Sequence, residues 1–202
     1  MITIYHLERS RSDRIIWLCE ELGLKYKLEK FKRTEQMQAP PEYKALHPLA
    51  RAPLIADGDI KLIESGAIID YIVSRYGKGK LKPEPKSPDF PRYVEFLHLA
   101  EGTVMAHFIL AWAASQGGAP ADARVASIGA RLGEDFRYMD QALSRSPYFA
   151  GKALTGADIA MAYVIRTGRD SKMCDMSLYP NLASYMTRIE ARPAYRKAMS
   201  LA

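Results

Sequence analysis

The sequence predicts two unlike domains: a small α/β domain with a mixed four-stranded sheet, in the order β-α-β then β-β-α, followed by an all-helical domain. Three observations carry this. Strand and helix signals alternate through the first third of the chain. Glycines and prolines then crowd the stretch from Gly77 to Pro91, and beyond it apolar residues recur at helical spacing only. The boundaries that follow are 1–77 for the α/β domain, 78–91 for a linker and 92–202 for the helical domain.

Residues 2–5 read as a short buried strand. After Arg9-Ser10-Arg11-Ser12-Asp13-Arg14, the apolar residues Ile15, Ile16, Leu18, Cys19 and Leu22 take the one-face spacing of an amphipathic helix, and Gly23 is its C-cap. A second strand over 26–31 completes a β-α-β unit, whose crossover requires parallel strands. Residues 53–56 and 60–63 flank Asp57-Gly58, a hairpin signal. Glu64-Ser65-Gly66 opens another helix with Ile68, Ile69, Ile72, Val73 and Tyr76 on one face, ending at Gly77. In the second domain, Leu97, Ala100, Val104, Phe108 and Ala111 predict one helix over 93–115, stopped by Gln116-Gly117-Gly118-Ala119-Pro120. A second long helix is expected over 122–143, then two or three shorter ones. Leu154-Thr155-Gly156-Ala157-Asp158-Ile159 reads as a capping box, Thr155 at N-cap and Asp158 at N3, with Leu154 and Ile159 as a hydrophobic staple.

Composition narrows the functional classes. The chain has 202 residues, 48% hydrophobic and 26% charged, the profile of an ordinary globular protein. No stretch approaches the roughly 18 apolar residues expected of a bilayer span, and no secretory signal opens the chain. Cys19 and Cys174 are too few for a disulfide framework, which fits a reducing cytoplasm. The net charge of +6 is spread along the chain rather than clustered with aromatics, so it argues for anionic small molecules and against nucleic acid. His6, His47, His98 and His107 lack metal-ligand spacing, and there is no phosphate loop or dinucleotide glycine motif.

Four segments in order resemble the cytosolic glutathione S-transferase family: Ser10-Arg11-Ser12-Asp13-Arg14-Ile15, His47-Pro48-Leu49-Ala50-Arg51-Ala52-Pro53-Leu54, Glu64-Ser65-Gly66-Ala67-Ile68 and the capping box at Thr155. The resemblance spans the chain and is closest to a bacterial and fungal, serine-type branch. It implies a thioredoxin-like first domain that holds glutathione and a helical domain that supplies the second substrate's pocket. The implied enzyme is a cytoplasmic homodimer acting in detoxification, without a cofactor beyond glutathione as co-substrate and without a nucleic-acid or membrane partner. It activates the thiolate for attack on a hydrophobic electrophile, by conjugation, peroxide reduction or ether cleavage.

The chemistry explains why such residues are needed. Only the thiolate attacks electrophiles, and a thiol of pKa about 8.5 is roughly 3% ionised at pH 7. Lowering that pKa by about two units takes about 2.7 kcal/mol, within reach of one or two hydrogen bonds to the charged sulfur at about 1.5–3 kcal/mol each. Ser10, just before a helix, is suited to this, although Ser10 and Asp13 also read as a capping box. Ser12 in the same turn and Tyr5 at the strand end are the alternative hydroxyls. Arg9, Arg11 and Arg14 read as solvated charges.

The resemblance further implies a cis bond at Pro53, exposing the Ala52 backbone to pair with the cysteinyl moiety of glutathione. Glu64 and Ser65 would hold the γ-glutamyl group, and Arg51 or Lys44 the glycyl carboxylate; His47 stands where many members have Asn. Met105, His107, Phe108 and Trp112 are candidates for the second-substrate pocket, against the plain reading of that stripe as core. A dithiol oxidoreductase on the same fold is excluded, since Arg9-Ser10-Arg11-Ser12 stands where a Cys is required. A non-catalytic binding or assembly module is the remaining alternative. It is disfavoured because Ser10 and the Glu64-Ser65 pair are retained.

Overall fold

The computed structural model describes residues 1–115 and 123–202. The helix stop expected at 116–120 and the helix start expected at Asp122 lie outside the described residues. Two compact units are formed, Met1–Lys80 together with Ala191–Ala202, and Leu81–Glu190.

In the first unit, β1 (Ile2–Leu7) and β2 (Tyr26–Phe31) pair in parallel across α1 (Asp13–Leu22). After the short α2 (Pro41–Lys44), β3 (Leu54–Asp57) and β4 (Ile60–Ile63) form an antiparallel hairpin, and α3 (Ser65–Tyr76) follows. The sheet order is β2-β1-β3-β4. The hairpin turn is Gly58-Asp59, with Asp57 still paired to Ile60, and Gly58 takes φ +60 as such a tight reversal requires. Helix α1 ends as expected: Gly23 is left-handed at φ 63, its N–H bonds the Glu20 carbonyl and the Leu24 N–H bonds that of Cys19.

Strand β1 runs two residues past the expected end, to Leu7, and so carries His6. By strand alternation His6 shares a face with Ile2 and Ile4, and all three are buried. Tyr5 lies on the opposite face with Leu7, packed into a cluster with Tyr43, Leu54 and Phe31.

The sequence reading assigned 92–202 to the helical domain, whereas by packing residues 191–202 group with the first unit. Helix α9 (Pro193–Leu201) packs on α1 in the first unit. Tyr195 sits edge-on to Trp17 at 5.1 Å. Arg192 grips Glu21 through two nitrogens at 2.6 and 2.7 Å, and Lys197 reaches Glu20 at 2.8 Å. These partners lie far apart in sequence, so no local pattern announces them.

The second unit contains α4 (Phe90–Leu99), α5 (Met105–Ser115), α6 (Ala123–Leu143), α7 (Gly156–Asp170) and α8 (Pro180–Glu190). The single helix expected over 93–115 is instead α4 and α5 joined by a π-helical turn at Ala100–Val104. Apolar periodicity continues through that turn, which hides the change in winding. Contrary to the sequence expectation, Phe90–Ser115 is long and apolar enough to cross a bilayer by length and composition; a third of its most apolar stretch is buried. Residues 81–91, expected as a linker, belong to the compact helical unit, where the Leu81 carbonyl accepts the Gly156 N–H at 2.7 Å.

The capping box at α7 forms. The Thr155 N–H and hydroxyl both donate to Asp158 Oδ2, at 2.8 and 3.0 Å. Asp158 Oδ1 accepts from the Phe149 N–H at 3.0 Å and the Tyr185 hydroxyl at 3.3 Å, tying α7 to the segment before it and to α8. Burial raises the Asp158 pKa to about 6 against the pull of these four bonds.

Candidate active site

The sheet register brings three connecting segments to one end of the sheet. Tyr5 near the end of β1 pairs with Leu54 at the start of β3, and Leu54 pairs with Ile63 at the end of β4. The segments leaving those strand ends therefore converge: residues 8–12 after β1, residues 51–53 before β3, and Glu64-Ser65 after β4.

The first segment is held by Arg33, whose guanidinium donates to the carbonyls of Glu8 and Met37 at 2.8 Å each and to that of Arg9 at 3.4 Å. Arg9 takes a left-handed φ of 53, turning the chain toward α1. Ser10 does not cap α1, contrary to the capping-box alternative: the helix starts at Asp13 with Ser12 as its N-cap. Instead Ser10 Oγ accepts the Ser12 N–H at 3.3 Å and lies 2.7 Å from Ser12 Oγ. Ser12 Oγ lies in turn 2.8 Å from His6 Nδ1. Ser10 is 7% exposed, Ser12 fully buried and His6 3% exposed, so the three form one buried chain that ends at Ser10, its most exposed member.

Burial lowers the His6 pKa; nearby Asp13 and Glu8 oppose the shift and Lys30 adds to it. The ring is therefore neutral at neutral pH. Arg14 is buried rather than solvated as expected, while Arg9 is exposed. Tyr5, on the far face of β1 from His6, packs its ring 6.4 Å from Phe31.

The Ala52–Pro53 bond is cis, and Pro53 is buried ahead of β3. Arg51 is exposed, and its carbonyl accepts the Tyr43 hydroxyl at 3.3 Å. Lys44 is exposed at the end of α2. His47 Nδ1 accepts the Leu49 N–H at 3.2 Å, a local turn contact.

Glu64 is exposed and strained, with φ 72 and ψ 120 on a residue that has a side chain. Such conformations cost of order 1–3 kcal/mol and persist where the surrounding structure dictates them. Ser65, buried, is the first residue of α3, where unpaired backbone N–H groups suit an anionic ligand group.

The helical unit places the other candidates on α5. Met105 and Phe108 are buried and contribute to its core. His107 Nδ1 pairs with Asp135 Oδ2 at 2.6 Å. The Trp112 ring is 48% exposed, as is Ile109 one turn earlier at 49%. Among the described residues, no group of three or more His, Cys, Asp or Glu is disposed to hold a metal ion.

Sequence reasoning missed His6 and Asp135. The signal for His6 was available: an ionisable side chain alternating with Ile2 and Ile4 occupies a buried face of a strand that feeds the Ser10 turn. Asp135 carried no such signal, because it meets His107 only through helix packing.

Comparison with known proteins decides the family. The model for the glutathione S-transferase N-terminal domain matches residues 1–74, and a model for the C-terminal domain matches 107–197. The chain belongs to the glutathione S-transferase family. Its activity is that of the family, glutathione transfer, on a thioredoxin-like domain followed by a helical one. Glutathione S-transferase 3 of Schizosaccharomyces pombe is 32% identical over 98% of this chain and 86% of its own length. A glutathione S-transferase from Actinobacillus pleuropneumoniae has a solved structure that superposes with a TM-score of 0.91 at 33% identity, covering 100% of this chain and 92% of that one. A delta-class glutathione transferase from Nilaparvata lugens reaches a TM-score of 0.80 at 28% identity, covering 98% and 92%.

Proposed function

We propose that this glutathione transferase binds glutathione at the end of the sheet where β1, β3 and β4 meet, and that Ser10 donates its hydroxyl hydrogen to the thiolate. The observation that carries the reading is Ser10 itself: it ends a buried hydrogen-bonded chain as its most exposed member, on the segment that converges with Pro53 and Ser65. The Ala52 backbone beside the cis bond pairs with the cysteinyl moiety. Glu64 meets the ammonium of the γ-glutamyl group, while Ser65 and the first N–H groups of α3 meet its carboxylate. Arg51 is the nearest exposed cation in sequence to that backbone and takes the glycyl carboxylate.

The activated sulfur attacks a hydrophobic electrophile. No further cofactor is required for that step. Ser12 serves Ser10 rather than the sulfur, and Tyr5 is a packing residue. We read the enzyme as a cytoplasmic homodimer acting in detoxification. Cys19 and Cys174 are free and buried, and burial raises their pKa values to about 12 and about 11, so neither supplies a reactive thiol.

The test is a pH titration of the ultraviolet absorbance of the bound thiolate in wild type, Ser10→Ala and Tyr5→Phe. Wild type and Tyr5→Phe are expected to show a thiol pKa well below 8.5, and Ser10→Ala a value near that of the free thiol. A low pKa surviving in Ser10→Ala but lost in Tyr5→Phe would transfer the role to Tyr5.

A further inference from the structure

Ser12 Oγ stands between two partners, Ser10 Oγ at 2.7 Å and His6 Nδ1 at 2.8 Å, in a setting closed to water. Each hydroxyl has one hydrogen, so the chain has two directions. With Nδ1 bare, it takes the Ser12 hydrogen, Ser12 then accepts from Ser10, and no hydrogen is left at Ser10 for a ligand. With Nδ1 protonated, His6 donates to Ser12, Ser12 donates to Ser10, and the Ser10 hydrogen points outward.

The surroundings favour the second direction. The Ser12 N–H already donates to Ser10 Oγ at 3.3 Å, so Ser10 is set up as an acceptor on its inner side. The other acceptor within reach of the Ser12 hydroxyl, the Leu7 carbonyl, is at 3.4 Å, long for such a bond. The neutral His6 ring has one proton to place, on Nδ1 or Nε2.

We propose that His6 is a positioning residue for the transferase reaction: as its Nδ1–H tautomer it directs the Ser12 and Ser10 hydroxyls outward, so that Ser10 presents its hydrogen to the glutathione thiolate. This rests on the reading of Ser10 as the thiolate donor. The relay carries no net proton. The thiol proton leaves to solvent, the sulfur keeps its electron pair, and the three groups supply an aligned row of donors that strengthen one another. The charged and titratable groups acting on His6 are Asp13 at the start of α1, Lys30 on β2 and Glu8 after β1.

The test reads the pKa of enzyme-bound glutathione by ultraviolet absorbance in wild type, Ser10→Ala, Ser12→Ala, His6→Phe and His6→Asn. Asparagine offers an amide N–H about where Nδ1 stands, whereas phenylalanine offers none. Ser12→Ala and His6→Phe are expected to raise the thiol pKa by about one unit, a tenfold loss of thiolate at fixed pH below it, and His6→Asn to restore most of that loss. A merely structural histidine would not be rescued in this way. If Ser10→Ala raises the pKa while Ser12→Ala and both His6 variants leave it at the wild-type value, the relay is wrong and the Ser10 reading stands. If Ser10→Ala also leaves it unchanged, the Ser10 reading falls first. Because His6 is buried, nitrogen NMR of the imidazole in the wild-type glutathione complex provides a readout independent of folding: a protonated Nδ1 is expected, and a protonated Nε2 overturns the proposal.

Discussion

Removing the Arg192 guanidinium tests whether α9 is bound to α1 by its ion pair or only rests there. Arg192→Met keeps an unbranched apolar stem and deletes the two bonds to Glu21, at 2.6 and 2.7 Å. The Glu21 side chain is 8% exposed and keeps the Trp17 Nε1–H at 2.8 Å as a donor. Stripping one partner from a buried pair costs about 3–5 kcal/mol, because the remaining charge is left in low dielectric. The Arg192 side chain is 31% exposed, so water reaches that end of the pair, and a discounted loss of about 2–3 kcal/mol is expected.

The companion change, Glu21→Gln in the Arg192→Met background, removes the stranded charge and leaves an amide oxygen for Trp17. It should recover about 1 kcal/mol or more, a coupling expected only of residues in direct contact. Urea unfolding followed by circular dichroism measures both, compared at equal slopes. A loss under about 0.5 kcal/mol for Arg192→Met, the scale of an exposed pair, would refute the reasoning. So would a double variant no more stable than the single one.

Three other outcomes are expected. Thr155→Ala deletes the hydroxyl that donates to Asp158 at 3.0 Å and should cost about 0.5–2 kcal/mol in the same urea assay. Gly168→Ala places a Cβ 2.6 Å from the Phe136 ring and 3.1 Å from Cys174 Cβ, and should cost about 1–3 kcal/mol through overpacking, read as a lower melting temperature. Asp158 carries a pH dependence: its pKa rises from 3.8 unfolded to about 6 folded, so the folded state holds the proton more tightly. The contribution is fully present below pH 3.8 and lost as pH rises through about 6. That is a fall of about 3 kcal/mol, and urea midpoints for wild type should decline across this window relative to those of Asp158→Asn.

The first domain was legible because its signals are local. Ile15, Ile16, Leu18 and Cys19 specify α1 by spacing, Gly23 ends it by its left-handed φ, and the Asp57-Gly58 pair marks the hairpin to within a residue. Thr155 and Asp158 are three positions apart, within the reach of one helical turn, so their box could be read directly. The cis bond at Pro53 came from the family resemblance and is present.

Other features required the folded chain. Whether Ser10 caps a helix depends on where α1 begins, and the helix begins at Asp13, past the reach of a Ser10 cap. The His6 link exists because β1 continues to Leu7 and sets residue 6 beside a turn six residues further along. The π turn at Ala100–Val104 carries no signal of its own in an apolar spacing that continues through it, from Leu97 and Ala100 to Val104 and Phe108. The docking of α9 on α1 joins residues 171 positions apart. Sequence alone determines what a few neighbouring residues prefer, since those preferences act through short-range sterics and hydrogen bonds. Which distant side chains share a buried space is decided only when the whole apolar surface is withdrawn from water together.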